Sequence, residues 1–521
     1  MARMPASAAD PPLPGPSPRG RLPTLLLAAV ASVAVLYAGL CKALLFHDLE
    51  YMGSDFFSFL EMSWSWYYSG LLLHDNVYGY HFALHNFYLL LAFSPLTIPL
   101  GAYGLILGLV LLHWIPVLRV AQCASLDVPR RLGIVAGALC PVAYFVFDHP
   151  SWGFHPELCY PPLALLLALE LIDSRPLGAA LAALLIVLVK EDGAVLCASV
   201  LLAYFAGRLW TLRTHPREER RRVAAAAVLS LLAVTVTFVA GMALLSMVSR
   251  AVASTQATAT ARLMGSLRKV AVILAGEGRP LLHDRLLEGL GGYALIGLLV
   301  LLPLGRRLPR GLVLLLLSSP PVIVILVVSS GLYNFNFMLW PPRLATLLAL
   351  VVACLAFASI ADTTEPGKAG LRASTAGVGL LVALSWGLQI LLLARLGYSP
   401  WPRIRAMQLV SGRDYRIAAV PKEELRFLRC LAARLPGGVP ISAVEDTHPV
   451  FHRQSIVFQE YPRQAWHRPR LRVILASEVT PAREGAICRG PRVGTLALEA
   501  ECDLMPLLAG CGGSTEPESP Y

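Results

Sequence analysis

A chain of 521 residues that is 56% hydrophobic and only 15% charged falls well short of the roughly 25% charged content of soluble domains. Its apolar residues fall in blocks of about 17–25, the length that crosses a hydrocarbon core about 30 Å thick. The formal net charge of +11 does not indicate nucleic acid, because Lys and Arg cluster at block ends, as in "RGR" (19–21), "REERRR" (217–222) and "RRLPR" (306–310), where positive charge orients membrane proteins.

The sequence therefore reads as mainly α, a polytopic transmembrane helical bundle whose first partner is the lipid bilayer. Residues 1–21 are Pro-rich and expected to be disordered and cytoplasmic. The apolar run that follows is too long for a signal-peptide h-region and lacks a small-residue cleavage site, so it is a retained first span, 22–46. Residues 43–118 hold no Lys or Arg, while Asp48, Glu50, Asp55, Glu61 and Asp75 are present, which places this stretch outside. Within it, "FYLLLAFSPLTIPL" (87–100) is short and broken by Pro95 and Pro99, the pattern of an interfacial or re-entrant segment. A span there would also put Arg119, Arg130 and Arg131 outside. Residues 47–101 thus form one large outer loop with membrane-surface helices, and "WSWYY" (64–68) suits an interfacial aromatic belt.

The remaining spans alternate as 102–120, 132–148, 158–173, 176–190, 193–208, 223–248, 291–305, 311–330, 344–361 and 374–395, about 11 in all. The N-terminus is then inside and the C-terminus outside. The outer loop 249–290 carries several Arg and Lys, which its length permits, since the charge rule acts most strongly on short loops. From 396 to 511 the composition becomes that of a small extracytoplasmic α/β module. Residues 421–438 have helical apolar spacing with a Gly pair suited to a C-cap, and 439–444 and 471–476 read as short buried strands. The tail, 512–521, is expected to be disordered. Cys430, Cys488, Cys502 and Cys511 lie in this module and match no zinc pattern, so at least one pair is expected to be oxidised, Cys488 with Cys502 first.

This topology sends the unusual polar clusters to one side. Asp55 precedes an aromatic, barely charged stretch, whereas Asp48 and Glu50 read as solvated. His81 and His85, at i and i+4, share a face if helical; that spacing can bind metal, and interfacial amphipathic histidines have it too. "FHPE" (154–157) suits a turn that opens the next span, with Pro156 in its first turn. In "LVKEDGAV" (188–195), Lys190, Glu191 and Asp192 stand between two apolar runs. They are either a hydrated hairpin tip or one wall of a polar site that also draws on His155, Glu157, Asn334, Asn336 and Arg343. The spans show no ionisable pair at mid-membrane depth, only Lys42 and Glu170 near span ends, which argues against an ion-coupled transporter. No phosphate-cradling Gly-rich loop, zincin pattern or nucleophile elbow is present.

Together, "GSDFFSFLEMSWSWYYSG", "HFALHNFYLLLAFSPL", "PVAYFVFDHPSWGFHPE", "LVKEDGAV" and "ISAVEDTHPVFHRQSIVFQEYP" resemble a family of bacterial polytopic membrane proteins of unknown function. The resemblance runs over most of residues 22–480. That family looks like a relative of the GT-C glycosyltransferases, which take a sugar from a polyprenyl-phosphate carrier at the outer membrane face. The resemblance implies a GT-C-like transmembrane domain over 22–395 in the inner (plasma) membrane and a polyprenyl-phosphate-linked sugar as partner. It makes Asp55 the general base toward an acceptor hydroxyl. Lys190 and Arg343 would hold the lipid phosphate. Glu191, Asp192, His155 and Glu157 would orient sugar hydroxyls or Lys190, or hold a divalent cation, with His81 and His85 joining the substrate-binding set. The alternative is a non-enzymatic membrane protein, a lipid or sugar-lipid carrier or a scaffold that presents the outer module.

Overall fold

A computed structural model describes residues 18–47, 54–76, 85–123, 126–146, 154–209, 217–252, 294–323, 341–360, 381–388, 391, 420–444, 447, 450–454, 456–459, 469–478 and 487–511. The N-terminal segment 1–17, most of the expected loop 249–290, residues 334–340 and the tail 512–521 lie outside the described residues. Among the described residues the chain is mostly helical, with one small sheet near the C-terminus.

Apolar runs become helices close to where the hydropathy blocks put them, Ala102–Gln122 even with Pro116 inside it. These are α1 (Pro18–His47), α4 (Ala102–Gln122), α5 (Val128–Val146), α6 (Tyr160–Ile172), α7 (Pro176–Val189), α8 (Gly193–Leu209), α9 (Arg217–Val252), α10 (Leu308–Ser318) and α11 (Pro341–Ala358). Two described helices are long and apolar enough to cross a membrane, Ala102–Gln122 and Arg220–Leu244. The apolar parts of the others are shorter: α6 has 13 residues and α7 has 14, about 20 Å each at 1.5 Å per residue. On α1 the side chains of Leu25, Leu26, Val30, Val33, Leu36 and Leu40 are each more than half exposed, and so are Val228, Leu231, Leu232, Val236 and Val239 on α9. Contiguous apolar surface of this kind marks contact with another apolar phase or partner rather than with water.

The outer-loop segment contains α2 (Ser54–Tyr68) and a two-part strap: a 3-10 turn, Tyr88–Phe93, runs directly into α3 (Ser94–Leu100). The strap is too short to span a bilayer. It ends at Gly101, whose φ of 59° lies in the left-handed region that a side chain resists. Ser94 ties the strap to α2: its hydroxyl donates to the Ser63 carbonyl at 2.5 Å and accepts from the Trp66 indole N–H at 2.9 Å.

The C-terminal module is built on α12 (Lys422–Arg434), with Glu423 and Glu424 in its first turn and Arg434 in its last, the arrangement that complements a helix dipole. The expected Gly pair does not cap this helix: Leu435 is the C-cap, and Gly438, at φ 85°, turns the chain into the sheet. The strands are β1 (Ile441–Ala443), β2 (Val457–Gln459), β3 (Leu471–Leu475), β4 (Ile487–Val493) and β5 (Leu496–Glu501), in the order β2-β1-β3-β5-β4. β1 runs parallel to both β2 and β3, while β5 is antiparallel to β3 and β4. β4 sits at the edge, where Pro491 can be tolerated, and its register slips between Arg489 and Arg492. The short helix α13 (Met505–Leu508) follows. Disulfides join Cys488 to Cys502, the pair expected first, and also Cys430 to Cys511.

Candidate functional site

The Lys-Glu-Asp turn comes first because its backbone decides where three charges point. α7 stops at Val189, and Lys190 turns extended at φ −169°, ψ 161°. The chain then reverses through 3.0 Å bonds from Gly193 N–H to Lys190 O and from Val195 N–H to Asp192 O. Gly193 is required by packing, since a Cβ there would lie 2.2 Å from the Ile186 carbonyl oxygen. The turn is therefore held close against the end of α7, with its three side chains facing different neighbours.

Each charge meets a separate segment. The Lys190 ammonium donates to Glu157 Oε1 at 2.8 Å. Glu157 lies in the 3-10 turn Pro156–Cys159 that opens α6, with Pro156 in its first position as the sequence suggested. Glu191 is gripped by the residues that lead into the strap: His85 Nδ1 lies 2.6 Å from Oε1, and the Asn86 backbone N–H donates to Oε2 at 3.2 Å. Asp192 accepts a hydrogen bond from the Tyr160 hydroxyl. Three stretches distant in sequence, 85–86, 155–160 and 190–193, thus converge on one knot.

His155 is buried, its ring edge-on to Phe59 of α2 at 5.4 Å, and its Nδ1 is 3.7 Å from Glu157 Oε2. At that distance it acts by charge when protonated, not as a hydrogen-bond donor. Glu157 itself is 3% exposed, and its Oε2 has no hydrogen-bond partner among the described residues. Phe154 packs edge-on to Phe56 and Phe59 of α2 and to Phe93 of the strap.

Burial sets the electrostatics, and the charges then correct it. For Glu157, burial favours the neutral acid, but the Lys190 ammonium and His155 outweigh it and hold the carboxyl well below its usual range. Glu191 is brought down to about 2, because His85 and Lys190 overcome the effect of burial. Asp192 goes the other way: burial, with Glu157 and Glu191 nearby, raises it despite Lys190. Lys190 would lose its proton more readily on burial, yet the carboxylates of Glu157, Asp192 and Glu191 hold it above the usual lysine range. Among the described residues one lysine faces three carboxyls, and the one whose carboxyl is raised rather than lowered is Asp192.

The structure brings together His85, His155, Glu157, Lys190, Glu191 and Asp192. His85 stands just before the strap outside any helix; His81, and with it the expected shared face, lies outside the described residues. The side chain of Asp55 is also outside them, although its backbone lies in the first turn of α2, the helix that carries Phe56 and Phe59. Arg343 is likewise described only by its backbone, at the start of α11, which packs against α6 and the Pro156–Cys159 turn. Asn334 and Asn336 are not among the described residues. Sequence reasoning missed Asn86 and Tyr160. Both are neutral residues in aromatic or apolar surroundings, and their one signal was proximity to His85 and Glu157. Among the described residues no group of three or more His, Cys, Asp or Glu side chains is arranged to hold a metal ion.

No protein-family model and no curated protein matches this chain. Among solved structures, the chain is similar to the crystal structure of ArnT from Cupriavidus metallidurans bound to undecaprenyl phosphate. That similarity covers 94% of this chain and 99% of that one, at 12% identity and a TM-score of 0.47. Neither the ligand nor the activity of ArnT is carried to this chain on that likeness.

Proposed function

We propose that this chain is a multi-pass membrane glycosyltransferase of the GT-C type, moving a sugar from a polyprenyl-phosphate carrier to an acceptor outside the cytoplasm. The observation that carries the reading is the knot of Lys190, Glu191 and Asp192 around the buried Glu157, at adjoining ends of α6 and α7. Those helices are about 20 Å long, against a hydrocarbon core of about 30 Å. A charged site at their ends is set below the level that full-length spans reach, where a lipid-borne headgroup can meet it. Lys190 offers the phosphate its remaining donors, Glu157 holding one of the three. Asp55, on the helix whose aromatic face packs against Phe154 and His155, takes the acceptor proton. Asp192, whose carboxyl is raised by burial and by Glu157 and Glu191, stands two positions along the chain from Lys190 and is the candidate acid for a leaving phosphate.

One observation favours the second reading, a carrier or scaffold with no chemistry: the Lys190–Glu157 pair, at 2.8 Å, is already matched and can serve as a structural lock. A turnover assay with purified protein and polyprenyl-phosphate sugars separates the two. Turnover that disappears in Asp55→Asn and in Lys190→Ala, with both variants still inserted and folded, supports the enzyme. Lipid binding with no turnover in the wild type sinks it.

A further inference from the structure

We infer that the C-terminal module is a positioning part of the candidate site: its docking through His452 fixes the strap and α2, and so sets the residues that grip Glu191. This rests on reading the knot as a site. Three contacts dock the module. The ring of His452 stands edge-on to Phe46 of α1 and Tyr103 of α4, at 5.3 and 5.5 Å, and its Nδ1 accepts from the Ala102 N–H at 3.4 Å. The Arg429 guanidinium donates to the His47 carbonyl. The Val457 backbone of β2 stands close enough to the Glu61 carboxyl of α2 to offset part of the rise that burial imposes on it.

The seat for His452 is a fitted one. Gly101 ends the strap in the left-handed region, and a Cβ there would stand 2.5 Å from His452 Nδ1 and 2.9 Å from the His452 carbonyl oxygen. Burial, helped by Arg453, lowers the His452 imidazole to about 4, so the ring is neutral at ordinary pH and its Nδ1 can accept. From this seat the mechanical path is short. Gly101 N–H donates to Thr97 O at 2.7 Å, α3 continues without a break into the 3-10 turn Tyr88–Phe93, and His85 and Asn86 then hold Glu191. Midway, Ser63 donates to Thr97 Oγ1 at 2.9 Å, so α2 moves with the strap. Glu61 closes the loop: it accepts from the Asn76 N–H at 2.7 Å and from Asn76 Nδ2 at 2.8 Å, with the Val457 backbone beside its carboxyl. Module, α2 and strap are one braced body, with the module at one end and Glu191 at the other.

Backbone hydrogen exchange on the full-length protein, wild type beside His452→Ala, tests this. Exchange of amides 88–101 and 190–196 should rise about tenfold, with amides 167–172 of α6 unchanged. Faster exchange confined to the module and residues 101–103, with 85–93 and 190–196 at wild-type rates, overturns the inference. His452→Gln, which keeps an acceptor at the seat, should restore most of the protection, and it serves as the test if the alanine variant does not fold. No recovery with Gln, in a folded protein, also counts against the role of the Nδ1 contact. In the turnover assay, kcat of His452→Ala should fall about tenfold while KM for the lipid donor stays within about twofold. A wild type without turnover removes the proposed activity, whereas the exchange result still decides the coupling.

Discussion

Helix α6 carries an ionic cluster at each end, and the two differ in burial and in how their charges are matched. At one end, Arg119 Nε donates to Glu170 Oε1 at 2.5 Å and Nη2 donates to Asp173 Oδ2 at 2.6 Å. Asp173 also accepts from the Cys123 thiol at 3.2 Å, while Arg131 donates to the Cys123 carbonyl at 2.7 Å. All three charged side chains of that triad are less than a tenth exposed. A planar guanidinium fork holds two carboxylates in one fixed geometry. At the other end a single ammonium, a point charge on a flexible stem, faces Glu157, Glu191 and Asp192. That flank is open: Lys190 is 20% exposed and Glu191 26%. Buried ion pairs are weak stabilisers at best and are costly when broken. The closed triad has the form of a staple between α4 and α6. The knot, with Lys190 and Glu191 partly exposed and, among the described residues, one lysine set among three carboxyls, has the form of a site.

The comparison can be broken by mutation. Arg119→Ala should have the largest effect on folding, since it strands Glu170 and Asp173 without their cation. We expect a loss of about 3–5 kcal/mol, visible as a collapse in yield or melting temperature in detergent; a melting temperature near the wild type's would mean that the triad is no staple. Lys190→Ala should cost less stability, about 1–3 kcal/mol for an exposed-flank pair that leaves Glu157 without its donor, yet abolish turnover. Equal unfolding in both variants would erase the distinction between the ends.

Acid should reach the open end through Glu191. Its carboxyl is depressed from 4.5 to about 2 in the folded state. Its stabilising contribution is therefore complete above about pH 4.5 and lost as pH falls toward 2. Melting temperature measured from pH 7 to pH 3 should fall less steeply in Glu191→Gln than in the wild type, and parallel curves would remove Glu191 from the account. The smallest effect expected is from Tyr160→Phe, which takes one donor from Asp192. It should cost about 1 kcal/mol and lower turnover only partly.

How far the sequence could be read follows the same contrast. The Lys-Glu-Asp turn and "FHPE" stood out because charge interrupts apolar runs, and their adjacency followed from consecutive helices. The helices themselves were legible from block length. The staple was not legible. Arg119, Glu170 and Asp173 each sit at a helix end, where a charge reads as a marker of orientation, and nothing in spacing pairs residue 119 with residue 170. Tyr160 and Asn86 were hidden because a neutral hydrogen bonder in an apolar or aromatic run looks like packing. The β4–β5 hairpin was missed for another reason: Pro491 and the charged residues of β4 suit an edge strand, and so obscure the alternation that identifies a central one.

Helix α9 has a consequence for the lipid around the protein. Its 36 residues extend about 54 Å, beyond the roughly 40–45 Å of a whole bilayer with its headgroups. One end must tilt into the interface or stand clear of it. That helix begins with four arginines and two glutamates in six residues, Arg217 to Arg222. A basic helix end at headgroup depth gains about 1 kcal/mol per cation from anionic lipid. In an anionic bilayer that attraction would favour keeping the first turns of α9 at headgroup depth, with Gly241 packed against Asn86 and Tyr88 farther along the helix.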